Sequence, residues 1–153
     1  MKTGDRVPDF TAKDQHGQDV RFHDLLAAGP VVLFFYPKAM TTGCTKESCH
    51  FRDLAAEFQA AGAQRVGISA DSVDRQARFD EKHDLGYPLL SDPDRSIASV
   101  FGVKRPGPLL NKRATFVIDR DGTVLERISS EMSMDVHADR ALEVLRAASD
   151  GSP

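Results

Sequence analysis

One short run of residues limits the fold more than any other part of the sequence. Residues 31–36, Val-Val-Leu-Phe-Phe-Tyr, are aliphatic or aromatic without interruption. Such a run is typical of a strand that is buried on both faces, inside a sheet that has helices on its two sides. The sequence therefore predicts an α/β fold in which Pro37 ends this strand.

Around this run, the chain alternates between strand and helix patterns. The predicted elements are a helix at about residues 44–61, a strand at 64–69, a helix from residue 72, a short extended piece at 89–90, a short helix that Asp92 and Pro93 begin, a hairpin of strands 115–118 and 124–128, and a helix at 136–148. Asp135 is predicted to cap the last helix, whose Val136, Leu142 and Leu145 would face inward.

The order of these elements predicts a central mixed β-sheet flanked by helices. A turn at His16 and Gly17 adds an N-terminal β-hairpin extension. No repeat or linker divides the chain, so we expect one domain over residues 1–153. This arrangement is compatible with a thioredoxin-like fold, although a fold does not by itself select a function.

The composition of the chain excludes two classes of partner. Its 20 Lys and Arg and 23 Asp and Glu give a net charge of -3, so no positive surplus exists to attract nucleic acid or an anionic membrane. The N-terminus leads into no apolar segment, and no run of about 18 apolar residues occurs. We therefore expect a cytoplasmic protein that binds neither nucleic acid nor membrane.

The sequence contains two cysteines, Cys44 and Cys49. Two are too few for a disulfide scaffold, and with His50 they would form a zinc site that lacks a fourth ligand at suitable spacing. We therefore expect no metal and no cofactor. In a reducing cytosol, paired thiols are more often catalytic or redox-sensing than structural.

Cys44 falls where the buried strand gives way to a helix. Unpaired backbone N–H groups and the positive end of the helix dipole favour an anion there over a neutral thiol. Cys44 is therefore predicted to be a nucleophile, although a free cysteine can also be simple core packing. For Cys49 alone, the reactive and the packing interpretations are equally open.

The spacing of the two cysteines decides what kind of redox site they could form. Five residues along an ideal helix separate their Cα atoms by about 8–9 Å, whereas a disulfide needs a separation within about 7 Å. Cys44 and Cys49 therefore cannot bond until the start of the helix unwinds. This argues against a disulfide reductase of the Cys-x-x-Cys type, and leaves open a redox-sensing or chaperone-like domain.

Several other polar and sulfur-containing residues are interpreted as structural or surface groups. Glu47 is interpreted as a carboxylate that the helix dipole favours, and Lys112-Arg113 as a solvated basic pair. Surface positions are predicted for four histidines, and ordinary packing is favoured for three methionines over an apolar rim: His16, His23, His83, His137, Met40, Met132 and Met134.

An ordered set of motifs resembles the peroxiredoxin family, in particular its bacterioferritin-comigratory or Q-type branch. The set extends over most of the chain and consists of Pro37-x-x-x-Thr41-x-x-Cys44, then Thr45-Lys46-Glu47, Cys49, Phe51-Arg52-Asp53, Gly67-Ile68-Ser69, Asp71, residues 87–92, Phe101-Gly102-Val103 and residues 113–119. The position before Gly43, commonly proline in the family, is Thr42 here.

The resemblance implies a thiol-dependent peroxidase that reduces hydrogen peroxide and organic hydroperoxides. Cys44 would attack the peroxide and become a sulfenic acid. Thr41 would hydrogen-bond the thiolate and the peroxide, and the backbone N–H groups of Gly43 and Cys44 would hold the peroxide oxygens. Arg113 would stabilise the thiolate, and Pro37 would shield the sulfur from water.

The same resemblance implies how the enzyme is regenerated. Cys49 would resolve the sulfenic acid by forming an intramolecular disulfide with Cys44. A thioredoxin-like dithiol protein would then reduce this disulfide. Because both thiols lie in one chain, a monomer is expected.

Overall fold

Seven strands form one mixed sheet in the computed structural model, which describes residues 1–150 and side chains up to residue 148. The elements are β1 (Thr11–Lys13), β2 (Asp19–Arg21), α1 (Phe22–Ala28), β3 (Val31–Phe35), α2 (Thr42–Asp53), α3 (Ala55–Ala60), β4 (Gln64–Ser69), α4 (Val73–His83), β5 (Leu89–Ser91), α5 (Ser96–Phe101), β6 (Ala114–Ile118), β7 (Val124–Ser129) and α6 (Asp135–Asp150).

The strand order is β2-β1-β5-β4-β3-β6-β7. Strands β3, β4 and β5 are parallel, whereas β6 runs antiparallel to both β3 and β7. The β1–β2 pair is the expected N-terminal hairpin, and it joins the sheet through β5. The predicted α/β fold with a central mixed sheet and an N-terminal hairpin is confirmed.

Strand β3 explains why its run of apolar residues is unbroken. All five of its residues are fully buried, and alternate side chains enter two separate cores. Leu33 and Phe35 pack on one side of the sheet, where α1 and α5 lie. Val32 and Phe34 pack on the other side, where α2, α3, α4 and α6 lie. The strand therefore has no solvent face that would require polar residues.

The predicted helix over residues 44–61 is two helices, because the backbone leaves the helical conformation at Leu54, with φ -95° and ψ 21°. The carbonyl of Phe51, which a continuing helix would use as an acceptor, instead accepts a hydrogen bond from Arg65 Nη1 at 2.9 Å. A contact from another element therefore accompanies the break, and the sequence of the helix does not reveal it.

Two other expectations for helices also differ from the structure. The seven-residue α1 was not predicted, since its N-cap residue, Arg21, makes no side-chain capping bond. Helix α5 begins at Ser96 and not at Pro93, because Arg95 adopts a left-handed conformation with φ 58°. Asp92 still acts as a cap, since its carboxylate accepts from the N–H groups of Ile97 and Ala98.

The last helix is present, but one of its predicted core positions is wrong. Leu142 and Leu145 are buried as expected, whereas Val136 is exposed because it lies on the outer side of the first turn of α6. Within residues 1–150, no helix is long and apolar enough to cross a membrane.

Candidate active site

The loop between β3 and α2 is held in place by a buried carboxylate. Asp71, which follows β4, accepts hydrogen bonds from the backbone N–H of Ala39 at 2.7 Å and from Ser69 Oγ at 2.7 Å. Met40 follows in a left-handed conformation with φ 65°, which is uncommon for a residue with a side chain. The chain then enters α2 with Thr41 as its N-cap residue.

Cys44 is the third residue of α2, and it is fully buried. Its sulfur accepts a hydrogen bond from Arg113 Nη2 at 3.2 Å. The backbone N–H groups of this first turn have no acceptor inside the helix, so they are free to bind an anionic or polar group. The site therefore combines a buried sulfur, a guanidinium and free backbone donors.

Arg113 reaches this sulfur because of the register of the sheet. It immediately precedes β6, whose first residue, Ala114, pairs with Phe35 at the end of β3. Antiparallel pairing therefore brings the start of β6 beside the loop that follows β3. Burial disfavours the charge of Arg113, but neighbouring Glu47 and Cys44 outweigh burial and raise the pKa of the guanidinium.

Glu47 lies one helical turn after Cys44, on the same buried side of α2. Its Oε1 accepts a hydrogen bond of 2.6 Å from Arg113 Nη1, so Arg113 bridges the sulfur and the carboxyl group. Burial raises the pKa of Glu47 to about 8, although the charge and hydrogen bond of Arg113 work in the opposite direction. The interpretation of Glu47 as a carboxylate favoured only by the helix dipole is therefore incomplete.

His137 lies behind this carboxyl group and not on the surface, so the surface prediction for it is wrong. It is fully buried near the start of α6. Its Nδ1 lies 2.8 Å from Thr115 Oγ1 and 3.6 Å from Glu47 Oε2. Burial lowers the pKa of His137, because an imidazolium is disfavoured away from water. His16 and His23 are exposed as expected, and His83 is half-buried.

Gly43 leaves room for the guanidinium. A Cβ atom at this position would lie 3.2 Å from Arg113 Nη2 and 3.4 Å from Met134 Sδ. Any side chain at Gly43 would therefore crowd Arg113. Met134 is half-buried at this point, whereas Met132 is 93% exposed, so the packing interpretation is wrong for Met132.

Thr41 and Pro37 lie in the loop that leads from β3 into the first turn of α2. The Thr41 hydroxyl donates to the carbonyl oxygen of Lys38 at 2.8 Å, so its expected hydrogen bond to the Cys44 sulfur stays a prediction. Pro37 is half-buried between the end of β3 and the loop, and its predicted shielding role likewise stays a prediction.

Cys49 has different surroundings from Cys44, although both are free thiols in α2. It is half-buried and lines a cleft of about 440 Å³ together with Lys46 and Lys82. The neighbouring carbonyl of Ser48 accepts a hydrogen bond of 2.7 Å from the hydroxyl of Tyr87. This bond ties the middle of α2 to the segment before β5.

Sequence reasoning missed the group of buried residues behind Arg113. Glu47, Thr115 and His137 are all fully buried there, and the carboxyl of Glu131 accepts from the backbone N–H of Arg113 at 2.9 Å. One signal could have found Glu47, because a residue three positions after Cys44 shares its helix face. His137 carries no comparable signal in the sequence.

Comparisons with known proteins show which family the chain is similar to. The profile of the AhpC/TSA family matches residues 3–127. A putative peroxiredoxin of Mycobacterium tuberculosis is 60% identical over 154 residues, which cover 99% of this chain and 100% of that protein.

Solved structures show the same fold. The crystal structure of the peroxidoxin BcpB from Mycobacterium tuberculosis has a TM-score of 0.94 and 59% identity, over 96% of this chain and 97% of that one. A mutant of peroxiredoxin Q from Xanthomonas campestris has a TM-score of 0.84 and 31% identity, over 91% of both chains. The chain therefore belongs to the AhpC/TSA family, as a peroxiredoxin of the bacterioferritin-comigratory or Q-type branch, and is a peroxidase that works through thiol chemistry.

Proposed function

We propose that Cys44 reduces hydrogen peroxide and organic hydroperoxides, and that Cys49 resolves the product as an intramolecular disulfide. The observation that carries this proposal is the 3.2 Å hydrogen bond from Arg113 Nη2 to the fully buried sulfur of Cys44. A guanidinium beside a buried sulfur favours the thiolate, which is the form that attacks a peroxide.

In the first step, the Cys44 thiolate attacks the terminal oxygen of the hydroperoxide. An S–O bond forms as the O–O bond breaks, so the sulfur is oxidised to a sulfenic acid. The terminal oxygen keeps its proton, and the leaving oxygen takes up a proton from water to give an alcohol or, from hydrogen peroxide, water. Negative charge develops on the leaving oxygen, where fixed donors lower the barrier.

The neighbours of Cys44 supply those donors. The backbone N–H groups of Gly43 and Cys44 have no helical acceptor and would hold the peroxide oxygens. Arg113 would polarise the O–O bond while it stabilises the sulfur. The hydroxyl of Thr41 would turn from the carbonyl of Lys38 towards the peroxide, and Pro37 would limit access of water to the sulfur.

In the second step, the thiol of Cys49 condenses with the sulfenic acid of Cys44. An S–S bond forms, and the sulfenic oxygen leaves as water after taking the proton of the Cys49 thiol. Both residues lie in α2, and their spacing along a helix exceeds the reach of a disulfide. The first turns of α2 must therefore unwind before this bond forms.

In the third step, a thioredoxin-like dithiol reduces the disulfide by thiol–disulfide exchange. Two electrons pass from the dithiol to the Cys44–Cys49 disulfide, and both thiols are restored. The partial exposure of Cys49 supports its sulfur as the one that the reductant attacks.

Rapid mixing of the reduced protein with peroxide tests the two thiols separately. We expect Cys44→Ser to consume peroxide no faster than an ordinary free thiol does. We expect Cys49→Ser to consume one equivalent rapidly and then to stop recycling with thioredoxin, because its sulfenic acid cannot form the internal disulfide. Mass spectrometry of alkylated samples identifies the oxidised sulfur in each case.

Two results would contradict the proposal. Rapid peroxide consumption by Cys44→Ser would show that another group is the nucleophile. Recycling of Cys49→Ser with thioredoxin at the wild-type rate would show that Cys49 is not the resolving thiol. Circular dichroism of each variant controls for loss of the fold.

A further inference from the structure

One buried titratable residue has no part in the reaction steps above. His137 is fully buried near the start of α6. Its Nε2 lies 2.9 Å from the carbonyl oxygen of Ser130, and its Nδ1 lies 2.8 Å from Thr115 Oγ1. On the same side, Nδ1 lies 3.6 Å from Glu47 Oε2. Both ring nitrogens therefore face polar atoms inside the protein.

The contacts of His137 define where its hydrogens lie. A carbonyl oxygen only accepts, so Nε2 carries a hydrogen that it donates to Ser130. In the neutral ring, Nδ1 then accepts from the hydroxyl of Thr115. If Nδ1 gains a proton, the same hydroxyl can rotate and accept from it, because a hydroxyl both donates and accepts. The site therefore accommodates both charge states of the ring.

The carboxyl group of Glu47 has one satisfied oxygen and one orphaned oxygen. Oε1 accepts from Arg113, whereas Oε2 is buried and has no hydrogen-bond partner among the described residues. An ionised oxygen in this position is costly, because nothing replaces its lost hydration. A proton on Oε2 removes that cost, and a proton on the facing nitrogen of His137, 3.6 Å away, offsets it through its positive charge. Burial raises the pKa of Glu47 and lowers that of His137, as expected for two groups that avoid charge.

We propose that His137 is a positioning residue that shares a single proton with Glu47, so that the pair carries no net charge and the positive charge of Arg113 acts on Cys44. When the pair loses this proton, its negative charge offsets the charge of Arg113, and the donor contact with the sulfur weakens. This proposal rests on the proposed function, in which Arg113 supports the thiolate and polarises the peroxide.

Other charged and titratable groups also face this pair. They are Cys44 on α2, Arg113 before β6, Tyr87 before β5 and Glu131 after β7. Glu131 also forms an ion pair with Arg105, which lies between α5 and β6. Burial raises the pKa of Tyr87, so it stays neutral, and the arginines keep their charge. Loss of the proton shared by Glu47 and His137 should lower the rate on the alkaline side of the rate profile.

The pH dependence of the first step tests the proposal. We would measure single-turnover oxidation of Cys44 in the Cys49→Ser protein, where resolution cannot occur. The rate should fall on the alkaline side of the profile when Glu47 and His137 lose their shared proton. His137→Gln keeps a side-chain donor but has no titratable nitrogen, so that only Glu47 can hold the proton. The alkaline fall should then move to lower pH, by about 0.3 unit where the two groups hold the proton equally.

The chain offers a matched control in His50. It also joins α2 to α6, through a contact of 2.8 Å with Asp139, but the His50 side chain is 26% exposed and that of Asp139 57% exposed, whereas His137 and Glu47 are fully buried. His50→Gln should leave the rate profile unchanged. In a Glu47→Gln background, which has no shared proton, His137→Gln should cause no further shift.

A measurement that needs no peroxide separates this proposal from the proposed function. NMR of isotope-labelled histidine side chains should show His137 with its hydrogen on Nε2 at neutral pH. Its signal should titrate in the range of the alkaline fall, and Glu47→Gln should displace that titration. If the wild type consumes no peroxide, the proposed function fails, and this experiment still decides whether the proton is shared.

Three results would overturn the proposal. They are a rate profile that His137→Gln leaves unchanged, an equal shift in the Glu47→Gln background, and a His137 titration that is insensitive to Glu47→Gln. The NMR comparison stays decisive even if His137→Gln does not fold, because it uses the natural histidine.

Discussion

The two cysteines share one helix but have opposite environments. Cys44 is fully buried, and Arg113 donates a hydrogen bond to its sulfur. Cys49 is half-buried and borders an open cleft. The group that distinguishes Cys44, Arg113, comes from just before β6. His137 of α6 lies behind it, although Glu47 of α2 also contacts Arg113. The environment of each thiol within this helix is therefore set largely by what the sheet and the last helix bring to each turn.

The two halves of α2 are also held by different forces. Arg113 and Glu47 hold the first half through a buried hydrogen bond of 2.6 Å between the guanidinium and the carboxyl group. The second half is held by the hydroxyl of Tyr87, by Arg65 on the carbonyl of Phe51, and by stacking of Phe51 on Phe34, with ring centroids 4.1 Å apart. The first half is therefore held by a charged guanidinium, and the second half by hydrogen bonds and aromatic packing.

The largest expected effect comes from removing the charge beside Cys44. Arg113→Gln removes the guanidinium that contacts the sulfur, and the rate of Cys44 oxidation should fall by about 10²–10³-fold. Lys112→Gln is the matched control, because Lys112 is the exposed neighbour. Stopped-flow measurement of the first turnover compares the two. A loss of less than about threefold for Arg113→Gln would mean that the helix alone activates Cys44.

A smaller effect should follow from crowding the guanidinium without removing it. In Gly43→Ala, the added Cβ lies 3.2 Å from Arg113 Nη2, so the arginine must shift away from the sulfur. We expect oxidation of Cys44 to slow by ~10-fold, because catalysis is sensitive to small displacements. Thr42→Ala, at an exposed position in the same turn, controls for altered helix propensity. Equal rates for the two variants would contradict the steric argument.

The smallest expected effect concerns the second half of α2. Tyr87→Phe removes the hydrogen bond to Ser48 and weakens the hold on α2 by about 1 kcal/mol. Formation of the Cys44–Cys49 disulfide should become about fivefold faster, while oxidation of Cys44 is unchanged. Quenching with acid, followed by mass spectrometry, gives the two rates separately.

The second tyrosine of the chain provides the control for this variant. Tyr36 is also fully buried, but its hydroxyl bonds to Gln76, away from α2. Tyr36→Phe should lower stability without altering the rate of disulfide formation. If both variants accelerate the disulfide equally, general destabilisation is the cause, and the role of Tyr87 is disproved.

The sequence alone predicted those features of the fold that depend on residues close together in the chain. The apolar run of β3, the Asp121-Gly122 hairpin tip and the position of Cys44 at a helix start were all readable, because each depends on neighbouring residues. The break at Leu54 was not predicted, since the contact of Arg65 with the carbonyl of Phe51 comes from another strand.

The pattern of residues along the chain did not predict the charged contacts around Cys44. Arg113 lies 69 positions from Cys44 in the chain, and only the family resemblance selected it. Glu47 and His137 are of residue types that usually lie on the surface, but both are fully buried here behind Arg113. Long-range pairing of β6 with β3 brings these groups together, and no local signal reports such pairing.

The end of α2 at Leu54 has a consequence for the energetics of opening. Helix α3 is anchored separately, by the fully buried Phe58, so it need not melt when α2 does. Local opening then costs only the contacts of a twelve-residue segment, which is a smaller cooperative unit than the whole molecule. Amide hydrogens of α2 should exchange by subglobal opening, while those of β3 should exchange only upon global unfolding.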